Sequence, residues 1–342
     1  MSILTGHPSP VRASSSRPLA AWQAELRDAI RDPVRLCETL GLPPELARTA
    51  GDAVRQFPLL VPASYLARIE RGNPADPLLV QVLPVAAEES EVVGFTSDPV
   101  GEAAASVAPG LLQKYAGRAL MVVTGACAVH CRYCFRREYP YDELAPAEAA
   151  WAPALEALAA DESIHEVILS GGDPLTLADR RLARLAESLA AIPHLERLRV
   201  HTRLPIVIPS RVTNELVDWL TATRLTPIVV LHANHARELD AAVARAVDRL
   251  RRAGVMLLNQ AVLLAGVNDS TDAQCELSLR LIEIGVTPYY LHQLDRVRGA
   301  AHFEVALARG RGIIADMRRR LPGYAVPQYV AEQPGELHKV VL

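Results

Sequence analysis

The chain has 342 residues, of which half are hydrophobic, and its formal net charge at pH 7 is −3. This near-neutral balance indicates neither a nucleic-acid-binding surface nor a surface for anionic membranes, and the sequence contains no run of about eighteen apolar residues that could span a bilayer. The length suits one barrel-sized domain with a smaller appendage, and we expect no nucleic acid and no membrane as partners.

The first part of the chain is predicted to be a tail followed by helices. Residues 1–16 are rich in Ser and Pro and are expected to form a flexible tail rather than a sorting signal. Residues 17–110 are predicted to form a helical N-terminal region that passes, from residue 73, into an irregular connector rich in Pro and Gly. The helical prediction rests on apolar residues at helical spacing, beginning with Leu19, Trp22, Leu26 and Ile30.

Residues 111–342 show a different pattern, in which short apolar runs alternate with amphipathic segments. Continuous apolar strands that alternate with helices are typical of parallel βα units with both sheet faces covered. Six such units predict an α/β fold, namely an incomplete parallel (βα)6-type TIM barrel that follows the N-terminal helical region. The six apolar runs are residues 119–124, 167–170, 198–201, 228–232, 255–264 and 286–291.

Three cysteines follow the first predicted barrel strand in a C-x3-C-x2-C run. They are Cys127, Cys131 and Cys134. A cubane iron–sulfur cluster normally takes four cysteines, so three thiolates leave one iron open to a ligand. Zinc is the alternative, with His130 as a possible fourth ligand, although zinc ligands usually come as two pairs. The remaining cysteines, Cys37 and Cys275, lie in helix-like stretches and are expected to be small buried core residues.

Polar residues stand at the ends of the later predicted strands. In barrel enzymes the carboxyl ends of the strands and the loops that follow them form the active site. A single polar strand end often only caps the next helix, but a succession of them beside a cysteine loop predicts a functional site. The residues are 170–173, His201, Arg203, His232, Asn234, Asn259, Gln260, His292, Gln293 and Asp295.

With these residues in hand, the sequence resembles the lysine 2,3-aminomutase family of radical S-adenosylmethionine enzymes. The similar segments are residues 98–102, 114–118, 127–137, 169–173, 259–260, 266–269, 288–290 and 323–339. The resemblance covers about residues 95–342. It implies a radical S-adenosylmethionine partial barrel with a C-terminal pyridoxal-phosphate lysine segment. It also implies three cofactors, a [4Fe–4S] cluster, S-adenosylmethionine and pyridoxal 5′-phosphate, for an isomerase that turns L-α-lysine into (R)-β-lysine.

The resemblance further implies roles for individual residues. The three cysteines would hold the cluster, and Lys339 would be the catalytic lysine that binds pyridoxal phosphate. Arg136 would bind the substrate carboxylate, while Asp295 and Glu332 would hold the distal ammonium of lysine. The cofactor-binding positions are Ser170, Gly171, Gly172, Asp173, His232 and Gln260 for S-adenosylmethionine, Lys114, Tyr115 and Arg118 for pyridoxal phosphate, and Arg203.

Several departures from the family pattern bear on function. Glu332 stands where the family has Asp, His292 where the larger enzyme has Tyr, and residues 336–338 replace a glycine-rich run before the lysine. The sequence ends at Leu342, ahead of the zinc-binding and subunit-contact region of the larger enzyme. This layout resembles the short bacterial paralogue that makes (R)-β-lysine for attachment to elongation factor P.

The implied partners are L-lysine, an electron donor of the flavodoxin or ferredoxin type, and a functional link to the ligase that attaches β-lysine to elongation factor P. An oxygen-sensitive cluster and free thiols fit a reducing cytoplasm. Two alternatives stay open. One is a catabolic lysine or arginine 2,3-aminomutase, and the other is a non-catalytic iron–sulfur or zinc module that needs only the three cysteines.

Overall fold

A computed structural model of the chain describes residues 19–48, 51–141 and 151–342. The tail predicted at residues 1–16 lies outside the described residues. Within the described part, no helix combines the length and apolar character needed to cross a bilayer.

The N-terminal region is helical, as the apolar spacing predicts. Helix α2 shows how the sequence sets its ends: Asp32 caps the first turn by accepting a hydrogen bond from the Val34 amide at 2.8 Å, and Gly41 ends the helix with a φ of 70°. Both positions follow the usual chemistry of helix termini. The five helices are α1 (Ala21–Arg27), α2 (Pro33–Leu40), α3 (Glu45–Arg48), α4 (Gly51–Gln56) and α5 (Ala63–Leu66).

The connector is more ordered than the sequence predicts. It contains helix α6 (Pro77–Val80), 3-10 turns at Ala86–Glu89 and Ala103–Ala105, and strand β1 (Ser106–Ala108). Most of residues 73–110 nevertheless lie outside helices and strands, and a four-residue helix is too short to show periodicity in the sequence. Buried Asp76 nonetheless caps α6 through the amides of Leu78 and Leu79.

One ten-stranded sheet organises the rest of the chain, with its strands in sequential order and β1 and β10 at its two edges. Strands β3 to β9 run parallel, while β1–β2–β3 and β9–β10 pair antiparallel. The prediction of an incomplete parallel barrel is confirmed. The strands after β1 are β2 (Leu111–Tyr115), β3 (Arg118–Thr124), β4 (Glu166–Gly171), β5 (Arg197–Thr202), β6 (Thr226–His232), β7 (Met256–Val262), β8 (Thr287–His292), β9 (Gln328–Ala331) and β10 (Val340–Val341).

The six predicted apolar runs correspond to β3 to β8, and β9 adds a seventh parallel strand that the sequence did not reveal. Helices connect these strands and cover the sheet, so that apolar strands are buried as parallel sheets require. Cys37 and Cys275 are both buried among apolar side chains, as predicted. The helices are α7 (Ala152–Ala160), α8 (Asp179–Ala190), α9 (Leu204–Val207), α10 (Asn214–Thr221), α11 (Ala241–Arg252), α12 (Thr271–Glu283) and α13 (Leu307–Arg320).

A buried ion-pair network joins the connector to the cysteine loop. The carboxylate of Glu88 accepts hydrogen bonds from Arg132 at 2.5 and 2.8 Å and from Arg137 at 2.8 Å. Arg132 also donates to the Phe57 carbonyl at 2.6 Å. Because Glu88 and Arg132 are buried, removing one partner would leave an uncompensated charge inside the protein. The N-terminal region therefore fixes the position of the loop that carries the three cysteines.

Candidate active site

A cavity of about 450 Å³ brings the predicted site residues together, and every residue to which the family resemblance assigns a role lines it. Of the polar strand-end residues, Asn234, Asn259 and Gln293 do not line it. The cavity lies at the carboxyl ends of strands β3 to β8, so polar residues at these strand ends lie close to one another. The strand after α13 and the final segment of the chain add Glu332 and Lys339. Residues more than two hundred positions apart therefore share one volume of ligand-site size.

The cysteine loop and the loop after β4 pack directly against each other. The Gly172 amide donates to the Thr124 carbonyl and the Asp173 amide donates to the Ala126 carbonyl, each at 2.7 Å. A Cβ atom on Gly171 would lie 2.5 Å from the Thr124 oxygen, and one on Gly172 would lie 2.3 Å from the Ala126 oxygen. The glycines were predicted to allow a ligand to approach closely. The structure shows a different requirement: without a Cβ atom at these two glycines, the backbones of the two loops can lie in contact.

The three cysteine side chains are free thiols on one wall of the cavity. Burial raises the pKa of Cys134 to about 11, and burial together with the neighbouring thiols raises the pKa of Cys127 well above its usual value. Thiolates in this position therefore need a cation to stabilise them, and an iron–sulfur cluster supplies that charge. The donor set fits the cluster.

The zinc alternative receives no support from the geometry. Among the described residues, no three His, Cys, Asp or Glu side chains converge on a point where one metal ion could sit. The three cysteines of a cubane bind three different irons and need no such convergence. His130, the possible fourth zinc ligand, places Nδ1 2.7 Å from the Pro58 carbonyl oxygen and stacks on Phe57 at a ring distance of 4.9 Å.

The guanidinium of Arg136 is anchored on both sides. Nε and Nη2 donate to the carboxylate of buried Glu102 at 2.6–3.1 Å, and Nη1 donates to Ser170 Oγ at 2.8 Å and to the Gly171 carbonyl at 3.3 Å. Glu102 thus fills the edge of Arg136 that would grip a carboxylate in the usual forked manner. Glu102 was not predicted as a site residue, although it belongs to residues 98–102, one of the segments that resemble the family.

Asp173 supports the loop rather than facing the cavity with free oxygens. Its carboxylate accepts hydrogen bonds from Thr202 Oγ1 and the Arg203 amide, both at 2.7 Å, and from the amides of Leu175 and Leu204 at 3.0 and 2.9 Å. Burial nevertheless raises the pKa of this carboxyl. The structure therefore places Asp173 as a brace between the ends of β4 and β5.

Arg203 lies behind the cysteine loop in a buried polar network. Its Nη1 donates to Cys131 Sγ at 2.7 Å and to Tyr133 Oη at 2.8 Å, and its Nη2 donates to Gln81 Oε1 at 2.7 Å and to Glu238 Oε2 at 2.8 Å. Neither Gln81 nor Glu238 could be predicted as a site residue, since each is a single polar residue far from any motif.

His232 stacks on Tyr133 at a ring distance of 5.8 Å, with its Nε2 3.1 Å from the tyrosine oxygen. Burial and the nearby Arg203 charge lower the pKa of His232 to about 3. The imidazole is therefore neutral at physiological pH. Its partner Tyr133 was missed as a site residue, although it lies between two of the cysteines.

Elsewhere in the cavity, the carboxylate of Glu332 pairs with two lysines. One carboxylate oxygen accepts from Lys114 Nζ at 3.1 Å and the other forms an ion pair with Lys339 Nζ. Burial raises the pKa of Glu332, but the two ammonium groups outweigh it and hold the pKa at about 2. Lys114 also donates to the Val100 carbonyl at 2.8 Å. The predicted second substrate acid is thus already paired with both predicted cofactor lysines.

Asp295 is placed differently from Glu332. Burial raises its pKa to about 7, since Lys339 and Lys114 offset only part of the desolvation. Within the described residues its carboxylate has no hydrogen-bond donor, so it is the acid in the cavity that an incoming cation can pair with. Two buried imidazole nitrogens nearby, Nε2 of His201 and Nε2 of His292, also lack a partner in the described part of the chain. These unpaired polar atoms fit a cavity that is completed by a ligand.

Aromatic and cationic side chains form the remaining wall. The rings of Tyr289 and Tyr290 are 3.8 Å apart, and the Arg118 guanidinium lies 4.7 Å from the ring centre of Tyr115. Aromatic rings in the same cavity as the cations of Lys114 and Arg118 fit a planar ring that carries a phosphate. Gln260 lines the same cavity from β7.

Comparisons with known proteins agree with this geometry. Residues 121–274 match the model of the Radical SAM superfamily. The L-lysine 2,3-aminomutase of Escherichia coli K12 is 47% identical over 322 residues, covering 94% of this chain and 94% of that protein. Its counterpart from Haemophilus influenzae is 44% identical over 320 residues, with coverages of 94% and 95%. The enzyme of the same name from Clostridium subterminale is 34% identical over 317 residues, covering 92% of this chain and 76% of that protein.

Proposed function

Since the chain belongs to the lysine 2,3-aminomutase family of radical S-adenosylmethionine isomerases, we propose that it converts L-α-lysine into (R)-β-lysine and depends on pyridoxal phosphate bound at Lys339. One observation carries the proposal. Lys339 shares the cavity with Cys127, Cys131 and Cys134, although it follows them by more than two hundred residues. A module that only held a cluster or a zinc ion would have no need of this placement.

The cofactors supply the demanding chemistry when bound: the cluster and S-adenosylmethionine provide a 5′-deoxyadenosyl radical, and pyridoxal phosphate provides a conjugated system that carries the migrating amino group. Cys127, Cys131 and Cys134 would hold the cluster on one wall. Lys339 would secure pyridoxal phosphate on the other, with Lys114 and Arg118 as cations for the phosphate.

Substrate recognition is proposed to rest on charge at both ends of lysine. The α-carboxylate would meet the edge of Arg136 that now contacts Ser170, because Glu102 occupies the other edge. The distal ammonium would pair with Asp295, the acid that has no hydrogen-bond donor among the described residues. Glu332 would contribute negative charge while it holds Lys339 and Lys114 in place. An acidic side chain would be repelled by both carboxylates.

The other proposed cofactor contacts come from the ends of the parallel strands. Ser170, Gly171, Gly172, His232 and Gln260 face the cavity close to the cysteine loop, where S-adenosylmethionine would lie if it binds the open iron. The neutral imidazole of His232 can accept or donate one hydrogen bond there. Asp173 would act from behind the loop by keeping its backbone in position.

We also propose the biological setting that the short family layout implies. The product would be attached to elongation factor P by its β-lysylation ligase, and a flavodoxin or ferredoxin would reduce the cluster. All five cysteines are free thiols, which fits the reducing cytoplasm that such a cluster requires.

Covalent labelling of Lys339 tests the proposal. The protein would be purified without oxygen, supplied with pyridoxal phosphate, reduced with borohydride and digested for mass spectrometry. We expect a phosphopyridoxyl group on Lys339. Lys339→Arg keeps the cation beside Glu332 but should take up no label, while Lys114→Arg is the matched control and should still be labelled at Lys339. Absence of label on Lys339 in the unmodified protein would refute the proposed role.

A further inference from the structure

Buried hydrogen bonds from both terminal nitrogens of Arg203 orient its guanidinium towards a cluster ligand. It lies just after β5, is 6% exposed, and places Nη1 2.7 Å from Cys131 Sγ. The Arg203 amide donates to Asp173 at 2.7 Å, and its Nη2 is fixed by Gln81 at 2.7 Å. These contacts hold the guanidinium in one orientation towards the sulfur.

Glu238 stands behind Arg203 and supplies the opposite charge. Its Oε2 accepts from Arg203 Nη2 at 2.8 Å, and its Oε1 accepts from the amides of Asn234 and His235 at 2.8 and 3.1 Å. Glu238 is fully buried, so the pair is poorly screened by solvent. The carboxylate holds the cation in place and at the same time reduces the positive charge that the sulfur experiences.

We propose that Arg203 and Glu238 are positioning residues that set the reduction potential of the cluster, with Arg203 raising it and Glu238 moderating it. Reduction adds one electron from an external one-electron donor and breaks no bond, so a positive charge and an N–H donor at a ligand sulfur stabilise the reduced form. This inference rests on the iron–sulfur assignment but not on the identity of the amino-acid substrate.

The test is the midpoint potential of the reconstituted cluster, followed by electron paramagnetic resonance during titration with dithionite. Arg203→Gln should lower the equilibrium constant for reduction at least tenfold, which is about 59 mV for a one-electron couple. Glu238→Gln keeps the Arg203 cation and removes its counter-charge, so it should raise the potential. Opposite shifts from the two members of one ion pair are a result that a purely structural role would not give.

A second buried arginine offers the matched control. Arg211 is fully buried and paired with Asp179 at 2.7 Å, but it does not line the cavity. Arg211→Gln should lower the melting temperature and leave the potential unchanged. If Arg203→Gln fails to take up iron, the Glu238→Gln shift decides the matter. A Glu238→Gln potential equal to or below that of the unmodified protein, or an Arg203→Gln potential that does not fall, overturns the proposal. Loss of β-lysine formation with the predicted potentials intact would instead count against the proposed function.

Discussion

Replacing Gly172 by Ala probes the contact on which the cysteine loop depends. The added Cβ would lie 2.3 Å from the Ala126 oxygen and 2.8 Å from the carbonyl carbons of Ala126 and Gly125. These are backbone atoms, which cannot rotate aside as a flexible side chain would. Overpacking of this kind costs about 1–3 kcal/mol and occasionally more, and we expect about 3 kcal/mol here because the obstacle is backbone.

The melting temperature converts this cost into a measurement. An unfolding entropy of about 2.1 cal/mol/K per residue gives roughly 0.7 kcal/mol/K for this chain, so about 3 kcal/mol lowers the melting temperature by about 4 °C. The added Cβ atom should also displace the cysteine loop. Because that loop carries the cluster ligands, the iron and sulfide content after anaerobic reconstitution should fall.

Gly312→Ala is the matched control for the same chemical change. Gly312 lies within α13, and a Cβ there meets nothing within 4 Å. Ala in a helix interior is favoured over Gly by about 1 kcal/mol, so the melting temperature should rise by about 1 °C with full cluster content. A Gly172→Ala protein that melts like the unmodified chain and binds a full complement of iron would refute the reasoning.

Three further predictions follow from charge. Because the Asp295 pKa is raised to about 7, the carboxylate is mostly protonated below pH 7, and kcat/KM for lysine should fall about tenfold per pH unit there. Asp295→Asn should abolish that pH dependence, and a profile that persists would exclude Asp295 as its source. Glu102→Gln should raise the lysine KM about tenfold with a smaller effect on kcat, since it releases the fork that orients Arg136; an unchanged KM would contradict this. Glu88→Gln leaves two buried arginines without their carboxylate and should cost about 3–5 kcal/mol in the free energy of unfolding measured with urea. Asp248→Asn, at a partly exposed residue paired with surface arginines, should change that free energy far less.

The parallel part of the fold was predictable because its strands are apolar and evenly spaced. Strands β3 to β8 and helices α8, α10, α11 and α12 leave long periodic patterns in the sequence. Strand β9 has four residues and follows a helix and a 3-10 turn, so it gives no such pattern. The short elements of the connector left no pattern for the same reason, since three or four residues cover about one repeat and cannot show a period.

The site was predictable as a set of residues but not as a set of contacts. Residue types and spacing predicted the cysteine site, and the family resemblance added Lys339 and the two acids to it; the cavity contains all of them. Whether a side chain is free or occupied depends on partners from distant elements. The pairing of Glu102 with Arg136 spans 34 positions, and that of Glu332 with Lys114 spans 218, so no local sequence pattern encodes either one. Only the pair Glu332–Lys339 is close in sequence, at seven positions.

In the proposed reaction, the α-amino group of lysine moves to the β-carbon. Anaerobic incubation with L-lysine carrying ¹⁵N at the α-amino group, S-adenosylmethionine, pyridoxal phosphate and dithionite, followed by chiral amino-acid analysis, tests it most directly. We expect (R)-β-lysine with the label on the nitrogen at C3, no product from Lys339→Arg, and no β-arginine from arginine. Lysine recovered unchanged by a protein with a full cluster would contradict it.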